Sequence, residues 1–277
     1  MIFIIFIFGL MAGSFINCIL YRLEQNQSFI KGRSYCPHCK HQLGFWDLIP
    51  IFSFIFLKAK CRYCQKKISW QYPLIEIITG IIFIFVYLET KVSIPFIGEM
   101  IISKGIEALA SFNYLILFRN LFFSAVLIII FVYDLKHQLV SEKIVIPAII
   151  IALTFNFFMK ISPIGIPAGS YGVNWLDLLL GVIIGSSFFL SQYLISKGRW
   201  IGFGDVYLGF MMGAMLGWQK VILAIILAYF IGAMIAVILI ILKKESWKSK
   251  IALGPFLMIG TFIALLYGNK ILEWYLG

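Results

Sequence analysis

Residues 114–134 read YLILFRNLFFSAVLIIIFVYD, an almost unbroken apolar run that ends in an aspartate. A run of about 20 apolar residues is long enough to cross the hydrocarbon core of a bilayer as a helix. Similar runs recur along the 277 residues, and the composition is 62% hydrophobic and 13% charged, with a mean hydropathy of +0.99. Soluble domains are roughly half apolar and a quarter charged. The sequence therefore predicts an all-α polytopic membrane protein.

Apolar runs and their polar breaks predict eight transmembrane helices, of which the sixth is the shortest. The N-terminus lacks the basic start of a cleavable signal peptide, so it is interpreted as a retained first helix. Along the chain we expect a first transmembrane helix over 1–20, a cytosolic loop over 21–67 and a seven-helix core over 68–277. The predicted spans are 1–20, 68–89, 114–133, 144–160, 175–196, 204–218, 220–242 and 250–271.

Lysine and arginine predict the orientation of these spans, because cytoplasmic loops of membrane proteins are enriched in both. With the N-terminus outside, 17 of the 23 basic residues lie on the cytoplasmic side, and residues 161–175, placed outside, carry no charge. The net charge of +11 therefore follows from the basic residues of the cytoplasmic loops, and nucleic acid is not expected as a partner. It also predicts contact with membrane lipid and puts the first loop in the reducing cytosol.

Four cysteines in this first loop predict a structural metal site. Cys36 and Cys39 form one Cys-x-x-Cys pair, Cys61 and Cys64 form another, and 21 residues separate them. Two such pairs are typical of one tetrahedral zinc ion, and four thiolates leave it no open position. The alternative, disulfides, rarely persists in the cytosol. His38 and His41 are interpreted as flanking polar residues and Cys18, in the first helix, as a small buried one.

Two aspartates at membrane helix ends, Asp134 and Asp205, predict a catalytic pair. With the orientation above, both lie at the cytoplasmic boundary of the membrane. Paired carboxylates can hydrolyse a peptide bond when one takes a proton from water and the other polarises the carbonyl. Two carboxylates held close together share one proton. The alternative interpretation, in which each aspartate is a helix cap or an interfacial anchor, stays open on these residues alone.

The residues around this pair suggest supporting roles. Gly202 and Gly204 precede Asp205, and we expect them to allow unusual backbone angles and close approach of an extended substrate. Since a helix dipole favours negative charge at the N-terminus, we hypothesise that Asp205 is the ionised base and Asp134 the acid. Glu76, two turns into the second predicted helix, is a candidate for support of the site.

Six motifs in the same order resemble the bacterial type IV prepilin peptidases, over nearly the whole chain. Three residues at two places depart from that family's pattern: Ser141-Glu142 stands where Pro-Asp is usual, and Tyr207 where lysine is usual. The motifs are Gly13-Ser14-Phe15-Ile16-Asn17-Cys18 with Tyr21-Arg22-Leu23, the cysteine pairs around Leu48-Ile49-Pro50, Tyr72-Pro73-Leu74-Ile75-Glu76, Asp134, Gly202-Phe203-Gly204-Asp205, and Gly254-Pro255-Phe256-Leu257.

The resemblance implies an eight-helix enzyme of the bacterial cytoplasmic membrane that acts on prepilins and pseudopilins of pili or secretion systems. It implies cleavage on the cytoplasmic side, after a glycine that ends a short basic leader, by Asp134 and Asp205. It also implies methylation of the new N-terminus with S-adenosylmethionine, for which the sequence assigns no residues.

Three other functions compete with this interpretation. A presenilin-like intramembrane aspartic protease has a similar order of aspartate motifs, although such enzymes lack the cysteine loop and place their aspartates on adjacent later helices. A proton-coupled transporter also uses intramembrane carboxylates, but near the midplane and often within inverted repeats. A zinc-loop scaffold for pilus assembly would need neither aspartate.

Overall fold

The computed structural model describes residues 1–28, 32–90, 105–161, 175–242 and 252–276, with side chains outside 105–112, 157–161 and Leu276. Within these ranges it consists of helices and turns, with two isolated bridges in the cysteine loop. The helices are α1 (Ile2–Glu24), a 3-10 turn (Phe45–Asp47), α2 (Phe52–Phe56), α3 (Gln71–Glu89), α4 (Gly105–His137), α5 (Glu142–Ile161), α6 (Trp175–Ser196), α7 (Phe203–Leu216), α8 (Trp218–Ile241) and α9 (Gly254–Leu276).

Each of the eight predicted spans coincides with one helix, which confirms the all-α membrane fold. The largest difference is at the start of α4, which begins at Gly105 rather than at residue 114. Helix α1 continues to Glu24 and α4 to His137, so that Asp134 lies in the last turn of α4 rather than after it. Among the described residues, six helices are long and apolar enough to cross a membrane, namely α1, α3, α4, α6, α8 and α9. The apolar helix α7 has only 14 residues.

The first compact unit comprises Met1–Gly98 and Asn113–Ala125. Within it, α1 packs against α3 at positions that have no room for a side chain. A Cβ atom on Gly9 would lie 2.7 Å from the Cα of Gly80, and one on Gly13 would lie 2.6 Å from the Cα of Glu76. Small residues allow such close approach of transmembrane helices. The contacts fix the start of α3 beside the end of α1, where the cysteine loop begins and ends.

The second unit comprises Glu99–Phe112 and Val126–Gly277. Its tightest contact joins α6 and α7, where Gly181 and Gly185 face Gly209 and Gly213. A Cβ atom on Gly213 would lie 2.7 Å from the Cα of Val182. Helix α7 also packs against α5, α8 and α9, so most of its side chains are buried. Helix α7 ends before Gly217, whose φ of 78° interrupts the helical backbone before α8 begins.

The division into segments 1–20, 21–67 and 68–277 stays a prediction. By contacts, α3 belongs with α1 and the cysteine loop, whereas α5 to α9 and the last turns of α4 form the second unit.

Candidate catalytic and metal sites

Asp134 lies in the last turn of α4 and is only 5% exposed. Its carboxylate accepts a hydrogen bond from the backbone N–H of Gly254, the first residue of α9. Its carbonyl oxygen accepts a hydrogen bond from the N–H of Gln138, 2.8 Å away. The side chain is therefore held between the end of one helix and the beginning of another.

Asp205 is the third residue of α7 and is half-buried. Its Oδ2 atom accepts a hydrogen bond of 3.1 Å from the N–H of Gly202, the residue that precedes the helix. This bond closes the first turn of α7 and fixes the direction of the carboxylate. Asp134 lies close enough to Asp205 for the two charges to interact. The fold thus places two carboxylates that are distant in sequence within range of each other's charge.

The helix dipoles do not separate the two aspartates into an acid and a base. Asp134 lies at the C-terminal end of α4, as predicted, but its carboxylate also meets the N-terminus of α9 through Gly254. Both carboxylates therefore contact a helix N-terminus, whose partial positive charge favours the ionised form of either one. The two helix dipoles therefore assign no order of ionisation to the pair.

The two glycines before Asp205 have ordinary backbone angles, while their predicted role in admitting an extended substrate stays a prediction. Gly202 has φ −80° and ψ 159°, an ordinary extended conformation, so the expected unusual backbone angles are wrong. At Gly204 the constraint is space: a Cβ atom there would lie 2.7 Å from the Cβ of Val140, in the turn between α4 and α5. Gly204 therefore lets the first turn of α7 pack against the turn that follows Asp134.

The four predicted cysteine ligands come together in the first unit. The Sγ atoms of Cys36, Cys39, Cys61 and Cys64 all lie within 4.8 Å of one another, and those of Cys36 and Cys64 are 3.9 Å apart. In a tetrahedral site with Zn–S bonds of about 2.3 Å the sulfur atoms lie about 3.8 Å apart. The four thiols are thus arranged to hold one metal ion.

The backbone builds this site as two equivalent turns. The N–H of Cys36 donates to the carbonyl of His41, and the N–H of Cys61 donates to that of Lys66, each at 2.9 Å. In both turns the residue after the second cysteine, Lys40 or Gln65, has a positive φ of 59° or 58°. Each chain segment therefore reverses tightly around its cysteine pair, as a metal knuckle requires.

The environment of Cys36 favours ionisation, which metal binding requires. Burial opposes it, but hydrogen bonds from the backbone N–H groups of Cys39 and His38 outweigh burial and lower the pKa of the Cys36 thiol to about 7. The ring of His41 stacks on Tyr63, with centroids 3.6 Å apart. This contact agrees with the interpretation of His41 as a flanking residue.

Two other acids have separate partners. The Oε2 atom of Glu76 accepts a hydrogen bond of 2.8 Å from the N–H of Ile51, so Glu76 fastens the cysteine loop to α3 within the first unit. The Oδ1 atom of Asp177 accepts a hydrogen bond of 3.0 Å from the indole N–H of Trp218. Asp177 therefore joins α6 to α8.

Sequence analysis did not single out two buried polar side chains on α4, Arg119 and Asn120. The guanidinium of Arg119 donates to Oδ1 of Asn120, whose amide donates to Thr90 at 3.3 Å. A charged residue inside an apolar run is costly in a membrane, and that signal is visible in the sequence. The contact of Asn120 with Thr90 could not be predicted from the sequence, because Thr90 follows a different helix, α3.

Two family models match the chain and together include both candidate sites. Residues 7–90 match the bacterial peptidase A24 N-terminal domain, and residues 121–237 match the type IV leader peptidase family. The first segment contains all four cysteines and the second contains both aspartates. The chain belongs to the type IV leader peptidase family. This membership confirms the resemblance that the sequence motifs indicated.

Curated relatives are similar to the chain along nearly its whole length. A prepilin leader peptidase/N-methyltransferase of Bacillus subtilis is 29% identical, over 100% of this chain and 98% of that protein. Proteins of the same name from Aeromonas salmonicida and Pseudomonas aeruginosa are 28% and 27% identical, over 99% and 97% of this chain and 93% and 91% of their own lengths. No solved structure matches the chain.

The residues at the two departures from the family pattern lie in regular local structure. Ser141 precedes α5, and its carbonyl accepts hydrogen bonds from the N–H groups of Ile144 and Val145 at 3.0 and 3.1 Å. The ring of Tyr207 packs edge-on against Phe203, with centroids 5.3 Å apart. Glu142 begins α5 and keeps the acidic character of the position.

Proposed function

We propose that this leader peptidase removes the basic leader of prepilins or pseudopilins with Asp134 and Asp205 and then methylates the new N-terminus. The observation that carries the proposal is that these two carboxylates lie within range of each other's charge, inside the segment that matches the leader peptidase family. The name shared by the relatives supports both activities.

The pair supports a mechanism in which one proton moves between two carboxyl groups. One carboxylate takes a proton from water, whose oxygen attacks the scissile carbonyl carbon, while the other carboxyl group protonates the carbonyl oxygen. Collapse of the tetrahedral intermediate then breaks the C–N bond, and the amine leaves with a proton. The hydrogen bonds from Gly254 and Gly202 hold the carboxylates in place for this exchange.

We propose that the ion held by the four cysteines is zinc and that its role is structural. Four thiolate ligands at these distances suit zinc and leave it no position for water or substrate. The ion would link the two cysteine turns of a loop that has few buried apolar residues of its own.

We further propose that the protein lies in the bacterial cytoplasmic membrane with its N-terminus outside. The cysteine loop and both aspartates then lie on the cytoplasmic side, where the leader of a prepilin resides before export. The support is the unequal distribution of lysine and arginine between the loops. The uncharged segment 161–175, which this orientation places outside, lies largely outside the described residues.

The proposal is tested with the purified full chain and a prepilin, with and without S-adenosylmethionine, by the mass of the product's N-terminus. We expect Asp134→Asn and Asp205→Asn each to lower the cleavage rate by about 10²–10⁴-fold, the usual contribution of a general acid or base. Metal content and melting temperature should stay as in the unchanged protein.

Asp177→Asn is the matched control. An asparagine at this position keeps the oxygen that accepts the Trp218 hydrogen bond, so cleavage should continue at nearly the original rate. Loss of cleavage in Asp177→Asn alone, or full activity in either of the other two variants, would contradict the assignment. A folded, metal-bound protein without any cleavage would favour the scaffold alternative.

A further inference from the structure

Two polar side chains of the second unit, Gln192 and Tyr229, form a hydrogen-bonded pair on helices whose exposed side chains are mostly apolar. The hydroxyl of Tyr229, in α8, donates to Oε1 of Gln192, in α6, at 3.0 Å. On the same helices, Leu194 is 64% exposed and Phe230 is 65% exposed. Both helices are long and apolar enough to cross a membrane. Polar side chains inside such helices are costly unless they have a partner or a use.

The pair lies beside the carboxylate of Asp205. Asp205 is 12 residues before Gly217, which joins α7 to α8, and Tyr229 is 12 residues after it. Because each helix rises by the same length per residue, both side chains start at about the same distance from this turn. The phenol group of Tyr229 is within range of the Asp205 charge. In the described parts of the chain no hydrogen bond joins the two side chains, so Tyr229 is near the proposed catalytic carboxylate without being bonded to it.

Packing fixes the ring of Tyr229. The ring lies edge-on against Phe188 of α6, with centroids 5.9 Å apart and an angle of 88° between the rings. The next residue, Phe189, is fully buried and faces Gly209 of α7, where a Cβ atom would lie 2.5 Å from the Phe189 ring. The three helices that carry Gln192, Asp205 and Tyr229 are therefore packed closely at this level, and the phenol hydroxyl is held by its ring as well as by its hydrogen bond.

The pair has hydrogen-bonding capacity left over. The hydroxyl of Tyr229 uses its proton toward Gln192, so its oxygen can still accept a hydrogen bond. The amide of Gln192 carries two N–H donors on Nε2, and among the described residues neither has an acceptor. Tyr229 is 37% exposed and Gln192 is half-buried. An acceptor and a donor therefore lie side by side, and both are accessible from the surface of the helices.

An acceptor beside a donor suits the main chain of an extended peptide. In an extended strand the N–H and C=O of one residue point to the same side, and they bond together to one residue of a neighbouring strand. A substrate that unwinds for cleavage exposes such groups, and inside a bilayer water does not satisfy them. Neither Gln192 nor Tyr229 offers a charge to an ionic ligand. An apolar ligand would leave their polar atoms without a partner.

We propose that Gln192 and Tyr229 bind the N–H and C=O of one substrate residue close to the scissile bond and hold the unwound strand beside Asp205. This proposal rests on the proposed cleavage and adds a binding contact to it. The oxygen of Tyr229 accepts from the substrate N–H, and the amide of Gln192 donates to the substrate C=O. Neither side chain exchanges a proton with the reacting bond, so both bind and position the substrate.

Steady-state cleavage of a synthetic prepilin by the purified full chain tests the two residues. Tyr229→Phe keeps the ring and removes the acceptor, and Gln192→Leu removes the donor. We expect each substitution to lower kcat/KM by about three- to tenfold, mainly through KM, which is the usual effect of one lost hydrogen bond. Tyr193→Phe is the matched control. Tyr193 follows Gln192 on α6, its ring packs against Phe203 with centroids 5.4 Å apart, and its hydroxyl has no hydrogen-bond partner among the described residues, so kcat/KM should be unchanged.

Substrates with single backbone esters test the contact with the main chain itself. An ester replaces one N–H by oxygen and so removes the donor that Tyr229 accepts. With an ester placed in turn at each link near the scissile bond, that bond excluded, we expect the unchanged protein to cleave one of these substrates about three- to tenfold more slowly than the amide substrate. Tyr229→Phe should cleave that ester and the amide at equal rates, whereas Tyr193→Phe should keep the difference. A merely structural role of Tyr229 would leave the difference in place.

The outcomes separate this inference from the proposed function. Loss of the ester difference in Tyr229→Phe supports the contact. An ester difference that survives in Tyr229→Phe, or full kcat/KM in both Tyr229→Phe and Gln192→Leu, overturns it. Loss of cleavage in Asp134→Asn and Asp205→Asn then leaves the proposed function standing. Full cleavage by those aspartate variants overturns the proposed function, and with it a contact that holds the substrate beside Asp205. Should Gln192→Leu fail to fold, Tyr229→Phe and the ester substrates still decide.

Discussion

Gly254 supports Asp134 in two ways that a single methyl group would disturb. The N–H of Gly254 donates to the Asp134 carboxylate. Because Gly254 has no side chain, there is also room for that carboxylate beside the start of α9. A Cβ atom at position 254 would lie 2.9 Å from the Cγ atom of Asp134. Because a displacement of about 1 Å at a catalytic group costs on the order of 10²-fold in rate, we expect Gly254→Ala to slow prepilin cleavage by roughly that factor. Initial rates on a synthetic prepilin measure it.

The same helix offers a control for this substitution. A Cβ atom on Gly268 would meet only the flexible side chain of Lys220, at 3.1 Å, so Gly268→Ala should cleave at nearly the original rate. Equal rates in the two variants would show that the Asp134 carboxylate is not constrained by α9.

At the scale of single residues, the sequence identified the two aspartates but not what surrounds them. Asp134 and Asp205 were recognisable because a carboxylate at the end of an apolar run is costly in a membrane, so it is usually kept for a function. The hydrogen bond from Gly254 and the packing of Gly204 on Val140 depend on helices brought together by folding. No local pattern encodes these contacts.

Among the elements, the cysteine loop is the one that we expect to depend most on the proposed ion. Few apolar side chains are buried there, so a metal held by the four cysteines would supply much of the order that a core would otherwise give. Removal of the metal by a chelator at neutral pH should expose residues 32–70 to proteolysis, while the helices of the second unit stay protected. Cys61→Ser should have the same effect, and Cys18→Ser should keep one zinc per chain by elemental analysis. Full protection of the loop after metal removal would contradict this role.

Helix α7 depends instead on glycine. Its contact with α6 is so close that Gly213→Ala would press a Cβ atom against the backbone at Val182, 2.7 Å away. Overpacking of this kind costs typically 1–3 kcal/mol, and we expect a corresponding fall in unfolding midpoint in detergent. Gly232→Ala on α8 is the control, because its Cβ atom would face only the ring of Phe256, at 3.1 Å. An unchanged midpoint in Gly213→Ala would mean that α6 and α7 can separate freely.

For the whole molecule, the eight helices were predictable because a bilayer imposes length and apolarity on whatever crosses it. The exceptions follow from protein packing. Helix α7 has only 14 residues and ends before Gly217, whose positive φ separates it from α8. Helix α3 joins α1 in one unit because Gly9, Gly13 and Gly80 let their backbones meet. The cysteine site was predictable from spacing alone, since two Cys-x-x-Cys turns have few other uses. The polar pair of α6 and α8 depends on helices that pack together only in the fold.

The orientation of the whole chain can be tested at two exposed positions. If basic residues hold the loops inside and eight helices cross the membrane, Leu139 faces the cytoplasm and Trp274, at the end of α9, lies outside with the N-terminus. These side chains are 65% and 84% exposed, so cysteines placed there are accessible. In intact cells with Cys18→Ser, a membrane-impermeant maleimide should label Trp274→Cys and not Leu139→Cys, which becomes reactive only after lysis.

The reverse pattern would put the aspartates on the outer face, away from any leader that awaits cleavage in the cytoplasm. Because 17 of 23 basic residues would then have to lie outside, against the usual charge preference of cytoplasmic loops, we expect the first pattern.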